Sequence, residues 1–126
     1  MATVLVVDDD RVLSHLVGSL LRGKGHKVLN AFDAVQGLML AMRSPLPDAI
    51  VLDINMPGGS GEETLRKLKM STKTAQIPVI VLSGSIDDAG RQRVRDLGAD
   101  AALAKPLVPE DLFSVLETGL SERLSV

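Results

Sequence analysis

Two kinds of apolar pattern alternate along the chain. Val4-Leu5-Val6-Val7, Ala49-Ile50-Val51-Leu52 and Val79-Ile80-Val81-Leu82 are short continuous apolar runs, rich in β-branched residues. Such runs predict strands buried on both faces, as in a parallel sheet. Two weaker stretches, Lys27 to Ala31 and Ala101 to Ala104, predict outer strands. Helical periodicity fills the intervals. Val12, Leu13, Leu16, Val17, Leu20 and Leu21 predict one apolar face, with Asp10 as N-cap and Gly23 or Gly25 past the end. Val35, Leu38, Met39 and Met42 predict the stripe of a second helix. Ser60 and Glu63 have capping-box spacing ahead of Leu65 and Leu68. From Asp87 to Leu97 only Val94 and Leu97 are apolar anchors and Gly90 is internal, which predicts the least firmly held helix. Pro109 suits the first position of a fifth helix carrying Leu112, Val115, Leu116 and Leu120.

Five strand–helix repeats imply an α/β fold, a parallel sheet with helices on both faces. For five strands the flavodoxin-like order 2-1-3-4-5 is the common solution. It puts the first and third strands side by side and opens a ligand crevice beyond their carboxyl ends. A length of 126 residues, 45% of them hydrophobic, suits one domain over the whole chain, 1–126. Aromatics make up only 2%, Phe32 and Phe113, so there is no stacking platform for single-stranded nucleic acid. A formal net charge of −2 gives no electrostatic case for nucleic-acid or membrane binding. The absence of cysteine excludes disulfides and thiolate metal sites and suits a reducing cytoplasm. No leader-like or bilayer-length apolar run is present, so a soluble, cytoplasmic chain is expected.

The charged residues change the picture at the strand ends. Asp8, Asp9 and Asp10 follow the first strand and Asp53 follows the third. In the expected sheet Asp53 therefore meets Asp8 and Asp9 in one crevice. Two like charges about 4 Å apart repel by roughly 4 kcal/mol at an effective dielectric of about 20, so the cluster calls for a cation. All-oxygen ligands with room for water suit Mg²⁺. Asp10 alone is accounted for as a helix cap near the positive end of the macrodipole. Ser83 follows the fourth strand and Lys105 the fifth. A carboxylate nucleophile, a metal, a hydroxyl and an ammonium around one point make a phosphoryl-transfer site. There Asp53 attacks phosphorus, Mg²⁺ and Lys105 neutralise charge, Ser83 donates to an oxygen, and Gly84 leaves room.

Val6-Val7-Asp8-Asp9, Asp53-Ile54-Asn55-Met56-Pro57 with Gly61, Ser83-Gly84 and Lys105-Pro106, in this order and spacing, make the chain resemble the receiver domains of two-component response regulators over almost its whole length. That family shares the 2-1-3-4-5 order, so the order is no independent support for the likeness. The resemblance implies that Asp53 is the phosphoacceptor and that Asp8, Asp9, Asp53 and the backbone carbonyl of Asn55 serve Mg²⁺. It further implies Ser83 as the switch hydroxyl, Lys105 as the partner of the phosphoryl group, and a cis bond before Pro106. The phosphoryl donor is then a phosphohistidine on a sensor histidine kinase or a histidine phosphotransfer protein, and the surface near the fourth helix and fifth strand is what switches. The output partner or output domain stays unidentified; none is recognised after Leu124. The family's usual aromatic three residues before the lysine is replaced by Ala102, so the readout is expected to differ. The lack of a second acid after Asp100 also disfavours the symmetric dimer of winged-helix regulators.

Competing readings account for less. Asp8-Asp9-Asp10-Arg11-Val12-Leu13 fits the signature of haloacid-dehalogenase-type phosphatases, with Asp8 as nucleophile, Asp10 as acid/base, and Ser83 and Lys105 as further motifs. Such enzymes need another acidic pair beyond the lysine, and that reading leaves Asp53 to Pro57 without a role. A flavin site would need a glycine- and hydroxyl-rich loop where the acidic triplet stands. A plain interaction module predicts neither Mg²⁺ binding nor labelling. His15 and His26 lack metal spacing and are expected at or near the surface. Met39, Met42 and Met70 are expected to pack. Arg91, Arg93 and Arg95 are expected to form a solvated face rather than a docking patch.

Overall fold

The computed structural model describes residues 1–56 and 60–124. Its strands are β1 (Thr3–Val7), β2 (Lys27–Ala31), β3 (Ala49–Asp53), β4 (Val79–Ser83) and β5 (Ala101–Ala104), alternating with α1 (Arg11–Gly23), α2 (Ala34–Met42), α3 (Ser60–Met70), α4 (Asp88–Asp96) and α5 (Pro109–Leu124). All pairings are parallel and the order is β2-β1-β3-β4-β5, as the apolar pattern leads one to expect.

Strand alternation sorts the core into two layers. Leu5, Val7, Ile50, Leu52, Val79 and Val81 face α2, α3 and α4, where Ala41, Leu65, Leu68 and Val94 meet them. Val4, Val6, Ala49, Val51, Ile80 and Leu82 face α1 and α5, against Val17, Leu21, Leu112 and Leu116. β3 and β4 are buried at every position, which is why they read as unbroken apolar runs.

Two helices bury a face rotated from the centre of the stripe that their large apolar residues predict, keeping part of it. In α1 the buried positions are Ser14, Val17, Gly18 and Leu21, while Val12 and Leu16 are 82% and 50% exposed. In α2 Gly37 and Ala41 are buried, while Val35 and Met39 are 79% and 56% exposed. Close approach explains both. A Cβ at Gly37 would come within 2.9 Å of Val7 Cγ1, so α2 lies on β1 through the one residue that lacks one. Ser14 Oγ donates to the Asp8 carbonyl at 3.2 Å, drawing α1 onto the end of β1. Small residues share these contacts with Val17, Leu21 and Leu38, and only Val12, Leu16, Val35 and Met39 of the expected stripes are turned outward.

Met70, expected to pack, is 72% exposed, whereas Met56, which carried no packing expectation, is buried. Gly25 past α1 has a φ of +88°, a conformation glycine adopts freely. Asp10 and Asp87 cap α1 and α4 by accepting backbone N–H groups. Pro57 and the side chain of Ser60 lie outside the described residues, so the expected capping box does too; Glu63 pairs with Arg66. On α4 the solvated-face expectation holds for Arg93 and Arg95, which are exposed, and less for Arg91, which is half-buried. Arg93 pairs with Glu62 of α3 through two bonds of 2.7 and 2.8 Å. Arg91 reaches back to donate to the Ala102 carbonyl at 2.7 Å.

Candidate functional site

Parallel strands deliver their carboxyl ends to one rim, and the register decides which residues arrive together. Val7 is level with Leu52, Asp53 with Leu82 and Ser83 with Ala104. Bonds beyond the strands fix the rim: Asp8 N–H donates to the Ala31 carbonyl at 3.0 Å, Ile54 N–H to Leu82 at 3.0 Å and Lys105 N–H to Ser83 at 2.8 Å. In consequence one carboxylate oxygen from each of Asp8, Asp9 and Asp53 lies within 4.8 Å of the others. Asp8 and Asp53 are buried and Asp9 is exposed. Lys105 Nζ stands 3.4 Å from Asp53 Oδ1 and 3.9 Å from Asp8 Oδ2. The bond from Lys105 to Pro106 is cis.

The cluster carries more negative charge than its one ammonium offsets. Burial pushes the Asp8 carboxyl up to about 6, and the neighbouring Asp53 charge pushes the same way. The Asp10 N–H, which donates to Asp8 Oδ1 at 2.9 Å, and Lys105 work against that rise. Two buried carboxylates and one open to solvent, all hard oxygen donors, fit a divalent cation that keeps part of its water shell. Asp10 is not in the cluster: its Oδ1 accepts from Val12 N–H and Leu13 N–H at 3.0 and 3.1 Å. The acid/base role that a phosphatase reading gives Asp10 is therefore taken up by helix capping.

Ser83 is at the rim, yet its hydroxyl is engaged sideways. Oγ lies 2.8 Å from Asn55 Oδ1 and 3.1 Å from the Ser85 carbonyl. The same Asn55 oxygen accepts the Gly84 N–H at 2.9 Å, while Asn55 N–H donates to Asp53 Oδ1 at 2.9 Å. The sequence singles out Asn55 for its backbone carbonyl; the bridge made by its side chain was not anticipated. The available signal was the register, which sets residue 53 level with residue 82 and so brings the two following loops side by side. A Cβ at Gly84 would meet nothing within 4 Å, so space is open there as expected. His15 is exposed and half-buried His26 accepts the Ala2 N–H through Nδ1, neither near the rim.

Comparison with known proteins agrees with this geometry. A family model described as the response regulator receiver domain matches residues 4–117. The protein PilH of Pseudomonas aeruginosa is 32% identical over 121 residues, which cover 96% of this chain and 99% of PilH. PhoB of Escherichia coli, a phosphate regulon transcriptional regulatory protein, is 33% identical over 111 residues. That match covers 88% of this chain and 48% of PhoB, so the chain spans about half of that relative's length. Among solved structures, the chemotaxis protein CheY4 of Vibrio cholerae superposes with a TM-score of 0.87 at 31% identity, covering 95% of this chain and 99% of that one.

Proposed function

On the premise that the chain belongs to the response regulator receiver family, we propose that residues 1–126 form one receiver domain that takes a phosphoryl group onto Asp53 in a Mg²⁺-dependent reaction in the cytoplasm. The observation that carries this reading is the meeting of the Asp8, Asp9 and Asp53 carboxylates within 4.8 Å, with Lys105 Nζ 3.4 Å from Asp53. Asp8, Asp9, Asp53 and the Asn55 backbone carbonyl are the residues that would hold Mg²⁺. Bound there, the ion supplies charge neutralisation for the transferring oxygens.

Asp53 provides the nucleophile. A carboxylate oxygen forms a bond to phosphorus as the phosphorus–nitrogen bond of a phosphohistidine breaks, leaving an acyl phosphate on Asp53 and an imidazole that takes a proton from water. Lys105 pairs with the negative oxygens of the product, and the buried strand end holds Asp53 in one orientation. Ser83 donates to a phosphoryl oxygen once its hydroxyl is released. The donor is a sensor histidine kinase or a histidine phosphotransfer protein, and the domain acts as a signalling switch that catalyses only its own loading and unloading.

Intact mass after incubation with acetyl phosphate and Mg²⁺ tests the reading. A gain of about 80 Da, the mass of one added phosphoryl group, is expected with Mg²⁺, and none with EDTA or in Asp53→Asn. A gain that persists in Asp53→Asn and maps to another residue rejects Asp53 as the acceptor.

A further inference from the structure

The Asn55 carboxamide joins the two loops that carry Asp53 and Ser83. It extends from the loop carrying Asp53 and accepts two hydrogen bonds from the loop after β4, one from Ser83 Oγ at 2.8 Å and one from Gly84 N–H at 2.9 Å. A backbone N–H can only donate, so the atom facing Gly84 is the carboxamide oxygen, and the Ser83 contact is then a hydroxyl donating to that same oxygen. The backbone N–H of Asn55 donates to Asp53 Oδ1. Ser83 is almost wholly buried, and the Ser85 carbonyl, 3.1 Å from its Oγ and on the same loop, competes with Asn55 for its single proton. Asn55 is thus the tie between this hydroxyl and the Asp53 side of the rim.

We infer that the Asn55 side chain is an off-state catch: it holds the Ser83 hydroxyl and the Gly84 amide in the unphosphorylated domain, and loading of Asp53 must release both. This rests on the reading of Asp53 as phosphoacceptor and adds a positioning residue to it, acting through Ser83 rather than on phosphorus. The hydroxyl has one proton, so donation to Asn55 and donation to a phosphoryl oxygen exclude each other. Asn55, Ser83, Ser85, Ile86 and Val94 line a cleft of about 130 Å³ between α3 and α4, which gives the released carboxamide open space to turn into. Two neutral hydrogen bonds, part of whose worth returns when the loop bonds to solvent, bias the closed position by about tenfold.

The catch is read without phosphorylation by amide hydrogen exchange at Gly84, measured by NMR on the full chain in EDTA. Exchange about tenfold faster in Asn55→Ala than in wild type is expected, with Asn55→Asp, which keeps the acceptor oxygen, close to wild type. Equal exchange in wild type and Asn55→Ala overturns the catch. Beryllofluoride, a phosphoryl mimic, is then titrated with Mg²⁺. Binding about tenfold tighter in Asn55→Ala is expected, with the gain lost when Ser83→Ala is also present. A gain that survives undiminished beside Ser83→Ala overturns the role of the hydroxyl. Absence of beryllofluoride binding in wild type rejects the phosphoacceptor reading instead, and the exchange result still decides whether Asn55 holds the loop.

Discussion

Asp8 is where burial and neighbouring charge act most directly against folding. Its carboxyl is held at about 6 in the folded chain against an ordinary value of 3.8, so the folded state takes up a proton before the unfolded state does. Above pH 6 this group costs stability, and the cost is relieved as pH falls from about 6 towards 4. Asp8→Asn should therefore stabilise the metal-free protein at pH 7 by about 1–3 kcal/mol, with the difference gone at pH 4. Urea unfolding of both proteins in EDTA at several pH values measures it; equal stability at pH 7 would show Asp8 to be well solvated. Asp8, Asp9, Asp53 and Ser83 could be placed together from the sequence because each stands at the end of a strand whose apolar run is unmistakable, and Lys105 followed from the weaker fifth strand. The Asn55 bridge could not, since a carboxamide two residues past a strand has many possible partners, and only the packed loops choose among them.

For the elements, which segments are helix or strand was legible, and which face a helix buries was not. Periodicity weighs residues by hydrophobicity, whereas α2 seats itself by size through Gly37 and Ala41, and α1 buries Ser14 and Gly18 beside Val17 and Leu21. Gly37→Ala discriminates between the two. A solvated helix would gain about 1 kcal/mol from the alanine, but crowding against Val7 should cost about 1–3 kcal/mol and leave a net loss. Val35→Ala, on the outward side, should change stability by less than about 0.5 kcal/mol. Chemical denaturation of the two variants reads both values. α4 shows the same lesson with charge: three arginines at alternate positions have three different surroundings. Arg91→Ala should lower stability by about 1 kcal/mol through loss of the bond to the Ala102 carbonyl, whereas Arg95→Ala should have almost no effect. Arg91 thus ties α4 to β5 at the carbonyl of Ala102, beside the packing of Val94 on the same cluster.

At the scale of the whole molecule the two ends of the sheet carry different tasks. The carboxyl rim gathers the acids; the amino rim holds ties between distant segments. Lys69 Nζ donates to the Ala75 and Ile77 carbonyls and to Asp100 Oδ2 at 3.2, 2.8 and 3.2 Å, and Asp100 Oδ2 also accepts the Val79 N–H. This use of Asp100 inside the fold was not visible in the sequence, because its partners lie on α3 and β4 and the pairing exists only after the chain has closed. Lys69→Met should cost about 2–3 kcal/mol by leaving these acceptors without their donor, while labelling by acetyl phosphate, about 15 Å away along the strands, stays at the wild-type rate. Thermal melts and mass-resolved labelling of the same sample separate the two effects. The exposed residues Arg43, Ser44 and Pro45 also lie at the amino end, between α2 and β3. A fluorophore attached or a peptide tag spliced there would ride on the domain like a handle on the base of an instrument, leaving the responding tip undisturbed.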